Sequence, residues 1–232
     1  MLYSSGIIQT NHTIYMSCKN ENDCCGTCGN EENGVCGTAC GSCGMLAEIG
    51  HEIPNIEVEA YHKDEIKKIK LSDYRGKWAI LFFYPGDFTF VCPTELEEMA
   101  ENYAEFQKLN AEILSVSVDS VYVHKAWHDT SEAIKKVEFP MLSDLRHELA
   151  ETFGCYIEEE GVALRGTFIV DPDGILKGVE VNDNSVGRNA KELLRKLKAM
   201  QFVREHGGQV CPANWNPGDD TLTKGLDLVG KI

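Results

Sequence analysis

The sequence predicts an α/β fold, and three features of its element order support that prediction. An apolar run at residues 79–84 is followed, from Pro93 onward, by apolar residues at the three- and four-residue spacing of a helix. A second apolar run at 112–118 completes a strand–helix–strand unit. Further on, Asp171-Pro172-Asp173-Gly174 separates two apolar runs, which is typical of a hairpin turn.

The remaining elements fit the same domain. Helical stretches are predicted around 123–136 and 144–153, hairpin strands over 167–170 and 175–181, and a last helix over 189–205 that ends at Gly207-Gly208. A βαβ half followed by a ββα half, with a cysteine where the first helix begins, is the element order of a thioredoxin-like domain. Residues 51–71 are expected to decorate the front of that domain.

Composition excludes several classes of partner. The net charge is −15 and the pI is about 4.9. Nucleic-acid backbones and anionic membranes both require clustered Lys and Arg, so neither is an expected partner. No run of 18 apolar residues is present, and the first 20 residues lack the pattern of a secretion signal. We therefore expect no integral membrane segment and a cytoplasmic protein.

The ten cysteines divide the chain into two parts. Seven lie in residues 1–44, which have few aliphatic residues and are predicted to form a cysteine-rich, flexible extension. Residues 45–232 are predicted to form the folded domain. The spacing of Cys25, Cys28, Cys40 and Cys43 could supply a zinc site, but a redox-active thiol tail or a tether fits it as well. Whether translation starts at Met1 or Met16 stays open.

Cys92 lies at the predicted start of the first helix, directly before Pro93. The positive end of a helix dipole favours the thiolate form of a cysteine, and the thiolate is the nucleophile. Lowering a cysteine pKa from about 8.5 to about 6 takes roughly 3.4 kcal/mol. A helix terminus supplies only about 0.3–2 kcal/mol. The neighbouring charged residues are acidic, so a cation is expected to come from elsewhere in the chain.

A second thiol is not available close to Cys92 in the sequence. The three residues that follow it are Pro93, Thr94 and Glu95, so no Cys-x-x-Cys motif is present there. A catalytic disulfide would have to close over a long distance, to Cys155 or to Cys211. Cys155 has apolar neighbours and is expected to pack as a small hydrophobic residue.

Several motifs together resemble those of the typical two-cysteine peroxiredoxins, in particular the bacterial alkyl hydroperoxide reductase C type. The resemblance covers roughly residues 45–232, and the composition of the cysteine-rich start is similar to that of the thiol peroxidase of amoebic parasites. It implies a thioredoxin-like fold with N-terminal additions and a C-terminal tail that carries a resolving cysteine. The motifs are PGDFTFVCPTE (85–95), KAWHD (125–129), FPMLSD (139–144), GCYIEEEGVALRGTFIVDPDG (154–174), VGR (186–188), VCPANW (210–215) and LDLVGKI (226–232).

The resemblance implies a role for each residue of the site. Cys92 resembles the peroxidatic cysteine, which attacks the peroxide O–O bond and becomes a sulfenic acid. Thr89 resembles the hydroxyl that hydrogen-bonds the thiolate and the peroxide, and Pro85 would shield the thiolate from water. Arg165 resembles the family arginine that contacts the sulfur and the peroxide, and so would be the expected cation.

Three further residues complete the implied site. Glu95 and Arg188 resemble a supporting pair that holds the catalytic arginine in place. Cys211 resembles the resolving cysteine, which forms a disulfide with Cys92 of a partner subunit. Because Cys211 lies in a tail rich in Pro, Gly and Asn, it is expected to be exposed and mobile.

The resulting expectation is a thiol peroxidase that reduces hydrogen peroxide and organic hydroperoxides without a bound cofactor. The resemblance implies a homodimer or a ring of five dimers, with thioredoxin or a flavin disulfide reductase as the reductant. It leaves association with the cell surface or the nucleus open. Two alternatives belong to other classes: a redox-inactive holdase or scaffold that uses the acidic surface, and a metal-storage protein that uses the first 43 residues.

Overall fold

The structure is a computed structural model that describes residues 47–231. Its centre is a seven-stranded mixed sheet. The strands of the described residues are β1 (Glu57–His62), β2 (Glu65–Lys70), β3 (Trp78–Phe83), β4 (Ala111–Ser117), β5 (Met141–Ser143), β6 (Tyr156–Ile157), β7 (Val162–Ala163), β8 (Arg165–Val170), β9 (Leu176–Asn182), β10 (Gln209–Val210) and β11 (Leu222–Thr223). Of these, β6 pairs with β7 and β10 pairs with β11 in two separate two-stranded sheets. The helices are α1 (Cys92–Glu101), α2 (Tyr103–Lys108), α3 (Val121–Thr130), α4 (Glu148–Thr152) and α5 (Ala190–Glu205), with short 3₁₀ turns at Leu71–Tyr74, Ile134–Lys136 and Leu226–Leu228.

The sheet order is β2-β1-β5-β4-β3-β8-β9. Strands β3, β4 and β5 are parallel, whereas β8 runs antiparallel to β3 and pairs with β9. The predicted βαβ unit is β3-α1-α2-β4, and the predicted ββα unit is β8-β9-α5. The thioredoxin-like α/β fold is therefore confirmed.

Both faces of the sheet are covered, which explains why β3 is apolar throughout and all six of its residues are buried. Successive side chains of a strand point to opposite faces. Ile80 and Phe82 belong to the core beneath α1, α3 and α5, together with Cys92. Leu81 and Phe83 belong to the second core, which contains Cys155.

Several predicted boundaries differ from the structure. Residues 51–71 were expected to decorate the front, but within them β1 and β2 extend the sheet, and β1 pairs with β5. The helix predicted from Pro93 begins at Cys92 and is interrupted at Asn102, whose side-chain amide donates to the Glu98 carbonyl oxygen at 2.8 Å. The short strand β5 was not predicted.

The predicted boundary between residues 44 and 45 lies outside the described residues. So do the four weak zinc candidates, Cys25, Cys28, Cys40 and Cys43. Within residues 47–231, no helix is long and apolar enough to cross a membrane.

Candidate active site

Cys92 is the first residue of α1, at the end of the loop that leaves β3. Its side chain is completely buried. The backbone N–H groups of Thr94 and Glu95 donate to the Val91 carbonyl oxygen at 3.0 and 3.2 Å. These amides are therefore already used within the first helical turn, and a side-chain donor becomes important for the sulfur.

Arg165 is that donor. It is the first residue of β8, the antiparallel neighbour of β3, so its side chain reaches the start of α1 from the adjacent strand. Its Nη1 lies 3.4 Å from the Cys92 Sγ and 2.6 Å from Glu95 Oε2. Its Nε and Nη2 donate to the Asn184 carbonyl oxygen at 3.0 and 2.8 Å. The orientation of the guanidinium is fixed on both sides.

Glu95 joins Arg165 to a second buried guanidinium, that of Arg188. The Glu95 Oε1 atom accepts from Arg188 Nε at 2.8 Å and from the Arg188 backbone N–H at 2.8 Å. Arg188 Nη1 donates to the Gly166 carbonyl oxygen at 2.8 Å, and the guanidinium lies 3.4 Å from the centre of the Phe82 ring. Burial lowers the pKa of Arg188, while the hydrogen bond with Glu95 opposes the shift. The predicted cluster of Cys92, Arg165, Glu95 and Arg188 is thus brought together.

The loop before Cys92 carries the other two predicted residues. Pro85 is half-buried, and Thr89 is exposed. The Thr89 hydroxyl donates its proton to the Gly86 carbonyl oxygen at 2.9 Å. Its expected hydrogen bond to the thiolate and the peroxide therefore stays a prediction.

The other two cysteines of the described chain lie in different environments, and all three are free thiols. Cys155 is fully buried in the second core, and burial raises the pKa of its thiol. Cys211 follows β10 and is half-buried rather than exposed as expected. The reason is that the tail packs on α5: Trp215 is buried, and its carbonyl oxygen accepts from Arg195 Nη1 at 2.9 Å. Burial also raises the pKa of Cys211, and Arg195 opposes that shift.

Two polar features near the site were not found by sequence reasoning. One is the Asn184 carbonyl oxygen that orients Arg165, and a main-chain contact leaves no signal in residue type. The other is the buried pair Asp87 and His124, which lie 37 residues apart in the sequence. Asp87 was interpreted only as an acidic neighbour of Cys92. Within residues 47–231, no group of three or more His, Cys, Asp or Glu side chains is arranged to hold a metal ion.

The comparisons with known proteins agree with this geometry. The model of the AhpC/TSA family matches residues 49–179, and the model of the C-terminal domain of 1-Cys peroxiredoxin matches residues 199–227. Alkyl hydroperoxide reductase C of Staphylococcus epidermidis is 48% identical over 189 residues, covering 81% of this chain and 100% of that protein. The protein of the same name from Pseudomonas aeruginosa is 46% identical over 187 residues, again 81% of this chain and 100% of the relative.

Solved structures give the same result. The crystal structure of Enterococcus faecalis AhpC is 52% identical, covers 72% of this chain and 100% of its own, and has a TM-score of 0.70. Reduced Plasmodium vivax 2-Cys peroxiredoxin is 34% identical over 75% of this chain and 91% of its own, with a TM-score of 0.72. The chain belongs to the AhpC/TSA family. It is an enzyme of the oxidoreductase class, a thiol-dependent peroxidase, as the resemblance implied.

Glu95→Gln should lower the free energy of unfolding by about 3–5 kcal/mol, because it leaves two buried guanidinium groups without a carboxylate. Urea denaturation followed by circular dichroism measures the loss. Glu97→Gln on the same helix is the control, because Glu97 forms a partly exposed ion pair with Lys136 and should cost less than ~1 kcal/mol. Equal losses in the two variants would show that the buried network does not stabilise the fold.

Proposed function

We propose that Cys92 is the peroxidatic residue and that the chain reduces hydrogen peroxide and organic hydroperoxides with it. The observation that carries the proposal is the 3.4 Å distance between the Cys92 Sγ and the Arg165 Nη1 in a site closed to water. Arg165 and Arg188 carry two positive charges and Glu95 one negative charge, which leaves a net charge of +1 beside the sulfur. That charge attracts the negative charge that the sulfur carries when it attacks a peroxide.

The reaction follows from this electrostatic arrangement. The thiolate attacks one peroxide oxygen in line with the O–O bond, an S–O bond forms, and the O–O bond breaks. Sulfur is oxidised to a sulfenic acid, and the departing oxygen takes a proton to leave as water or an alcohol. The Arg165 guanidinium stabilises the negative charge that develops on that oxygen. Pro85 shields the thiolate from water, and the Thr89 hydroxyl, once it turns away from the Gly86 carbonyl oxygen, hydrogen-bonds the thiolate and the peroxide.

Glu95 and Arg188 act as positioning residues. A guanidinium with free rotamers would spend much of its time away from the sulfur, whereas the two carboxylate oxygens of Glu95 hold Arg165 and Arg188 at 2.6 and 2.8 Å. Arg188 is itself fixed by the Gly166 carbonyl oxygen and the Phe82 ring. The positive charge is therefore oriented before the peroxide enters. Because it does not have to reorient during the reaction, it stabilises the transition state more effectively.

Cys211 of a second copy is the proposed resolving residue. Its thiol attacks the Cys92 sulfenic acid, an S–S bond forms between subunits, and water leaves. Because the Cys92 sulfur is fully buried, the first turn of α1 must unwind before another chain's thiol can reach it. Cys211 is half-buried on α5, so its tail must also leave that surface.

A homodimer is the proposed working unit, and the edge of the sheet supplies a surface for it. Strand β9 is an edge strand of the described sheet, and its Val179 and Val181 are 43% and 41% exposed. The opposite edge, β2, carries Lys67, Lys68 and Lys70, which discourage strand pairing. Pairing of two β9 strands would cover the apolar edge. A ring of five dimers is the larger assembly that we propose.

The proposed setting is the cytoplasm, with thioredoxin or a flavin disulfide reductase as the source of electrons. We assign the catalytic domain to residues 45–232 and treat residues 1–44 as a cysteine-rich extension that serves redox chemistry, metal binding or tethering to the cell surface or nucleus. The holdase and metal-storage alternatives lack a role for the buried charge network. A peroxidase requires it.

Cys92→Ser should abolish peroxide turnover, because a serine hydroxyl is barely ionised near pH 7 and is a poor nucleophile towards the O–O bond. Peroxide consumption with dithiothreitol as reductant measures the effect. The matched control is Cys155→Ser, which leaves the Cys92 site in place. Activity of Cys92→Ser above about a tenth of wild type would refute the assignment of the peroxidatic residue.

Arg165→Ala should slow Cys92 oxidation by at least ~100-fold, the scale on which one preorganised charge-stabilising donor acts. The variant should fold, because Glu95 keeps Arg188 as a partner. Stopped-flow oxidation gives the rate. Arg146→Ala is the control, because that side chain is 75% exposed. Oxidation of Arg165→Ala at the wild-type rate would argue against the role of Arg165.

In a chain that lacks residues 1–44 and their seven cysteines, Cys211→Ser should prevent the disulfide-linked dimer that one equivalent of peroxide produces. Non-reducing electrophoresis shows the dimer, and mass mapping of the linked peptides identifies its cysteines in the full chain. In the variant, Cys92 should accumulate as sulfenic acid. If Cys155→Ser removed the link instead, Cys155 would be the resolving residue.

A further inference from the structure

A buried polar cluster lies directly behind the loop that precedes Cys92. The Asp87 carboxylate accepts from the Tyr84 hydroxyl at 2.8 Å, and its other oxygen lies 2.8 Å from His124 Nδ1. His124 is fully buried on α3, and its Nε2 lies 3.2 Å from the Leu142 carbonyl oxygen of β5. Because a carbonyl oxygen can only accept, Nε2 carries a proton, and one further proton lies between Nδ1 and the carboxylate. The chemistry at Cys92 described above makes no use of this cluster.

The cluster fixes the loop to the rigid part of the domain. Asp87 is a loop residue, whereas Tyr84 directly follows β3 and His124 lies on α3. The Asp87 backbone N–H also donates to Asp119 Oδ2 at 2.8 Å, and Asp119 in turn accepts from the Ser117 hydroxyl at the end of β4. The titratable groups that face Asp87 are therefore Tyr84, His124 and Asp119. Burial raises the pKa of Asp87, and the His124 hydrogen bond opposes the shift.

The neighbouring residue is held in an unfavourable conformation. Phe88 has a φ of 55°, in the left-handed region that bulky side chains rarely occupy. Phe88 is 57% exposed, and its ring contacts Trp127 of α3, with the ring centres 5.9 Å apart. Release of the loop would relieve this strain, so contacts in the closed conformation must counterbalance it. Within residues 85–91, the hydrogen bonds of the Asp87 carboxylate are buried, charge-assisted contacts that can serve this purpose.

On the basis of the function proposed above, we propose that Asp87 and His124 form a latch that holds the loop at 85–91 closed over Cys92 and thereby limits the rate of disulfide formation. Both are positioning residues. In the closed conformation the sulfur faces Arg165 and reacts with peroxide. Opening breaks the contact between Asp87 and His124 and, together with release of Glu95 from Arg165 and Arg188, lets the first turn of α1 unwind and exposes the sulfenic acid to the resolving thiol.

The two steps should respond differently when the latch is weakened. Consider a closed conformation that outnumbers the open one by roughly a hundred to one. If a variant lowers this closed-to-open ratio tenfold, about nine-tenths of the molecules stay closed, but the open fraction rises about tenfold. Peroxide oxidation, which uses the closed form, should change little. Disulfide formation, which uses the open form, should become much faster.

The test is rapid-mixing kinetics on the full chain with one equivalent of hydrogen peroxide. Loss of hydrogen peroxide in samples quenched at successive times follows oxidation. Quenched samples on non-reducing gels, with mass mapping of the Cys92–Cys211 peptide, follow disulfide formation. Asp87→Asn replaces the charge-assisted hydrogen bond to His124 by a weaker neutral one, so it should accelerate disulfide formation by roughly tenfold and leave oxidation within about twofold.

Two further variants separate the latch from general destabilisation. His124→Leu should give a similar acceleration, and the double variant should be no faster than either single one, because both act through one contact. His128→Gln is the control on the same helix, since His128 contacts Tyr61 and not the loop. If Asp87→Asn does not fold, Tyr84→Phe decides, because it removes one hydroxyl from Asp87 and should accelerate disulfide formation roughly threefold.

Unchanged disulfide formation in Asp87→Asn, or in Tyr84→Phe if Asp87→Asn does not fold, would overturn the latch. So would equal acceleration in the His128→Gln control. If the wild-type chain forms no link between Cys92 and Cys211, the proposed resolving step fails, and the latch is rejected with it. If the wild-type chain forms the Cys92–Cys211 disulfide and the variants form it at the wild-type rate, only the latch is rejected.

Discussion

Two guanidinium groups and one carboxylate are buried beside the Cys92 sulfur, and the organisation of the site depends on how their charges are balanced. Removing such ions from water costs several kcal/mol each unless every one is paired and hydrogen-bonded. Glu95 bridges both arginines, and main-chain carbonyl oxygens of Asn184 and Gly166 take further N–H donors. Of the Arg165 nitrogens, Nη1 is the one that lies beside the Cys92 sulfur. A stable arrangement with an excess positive charge is what a buried thiolate needs.

The fold places these groups on three different elements. Cys92 and Glu95 lie one helical turn apart on α1, Arg165 begins β8, and Arg188 lies in the segment between β9 and α5. Antiparallel pairing of β3 with β8 brings Arg165 next to the loop that leaves β3. The same burial that orients the charges also encloses the sulfur. In the proposed mechanism, reaction with a small peroxide and disulfide formation with another chain would place opposite demands on the loop before Cys92.

Sequence patterns predicted the parts of this arrangement that depend on local periodicity. The βαβ and ββα units, the buried β3 and the helix start at Cys92 all follow from apolar spacing and Pro93. The cation was expected on charge grounds, but its assignment to Arg165 required the family resemblance, because 73 residues separate it from Cys92. The Asn184 carbonyl contact and the pairing of Asp87 with His124 were missed, since both depend on tertiary structure. Strand β2 was missed because three of its six residues are Lys and it lies on an exposed edge of the sheet. Strand β1 was missed although Glu57-Val58-Glu59-Ala60 has the alternation of a half-buried strand.

If the charge network activates Cys92, this residue should be the first of the ten cysteines to react with peroxide. The most direct measurement treats the full-length reduced protein with less than one equivalent of hydrogen peroxide in the presence of a sulfenic-acid trap, and then maps every cysteine by mass spectrometry. We expect the trapped product and any early disulfide to involve Cys92, with Cys155 unmodified. First modification at Cys155, or at the cysteines of residues 1–44 with Cys92 still reduced, would contradict this account.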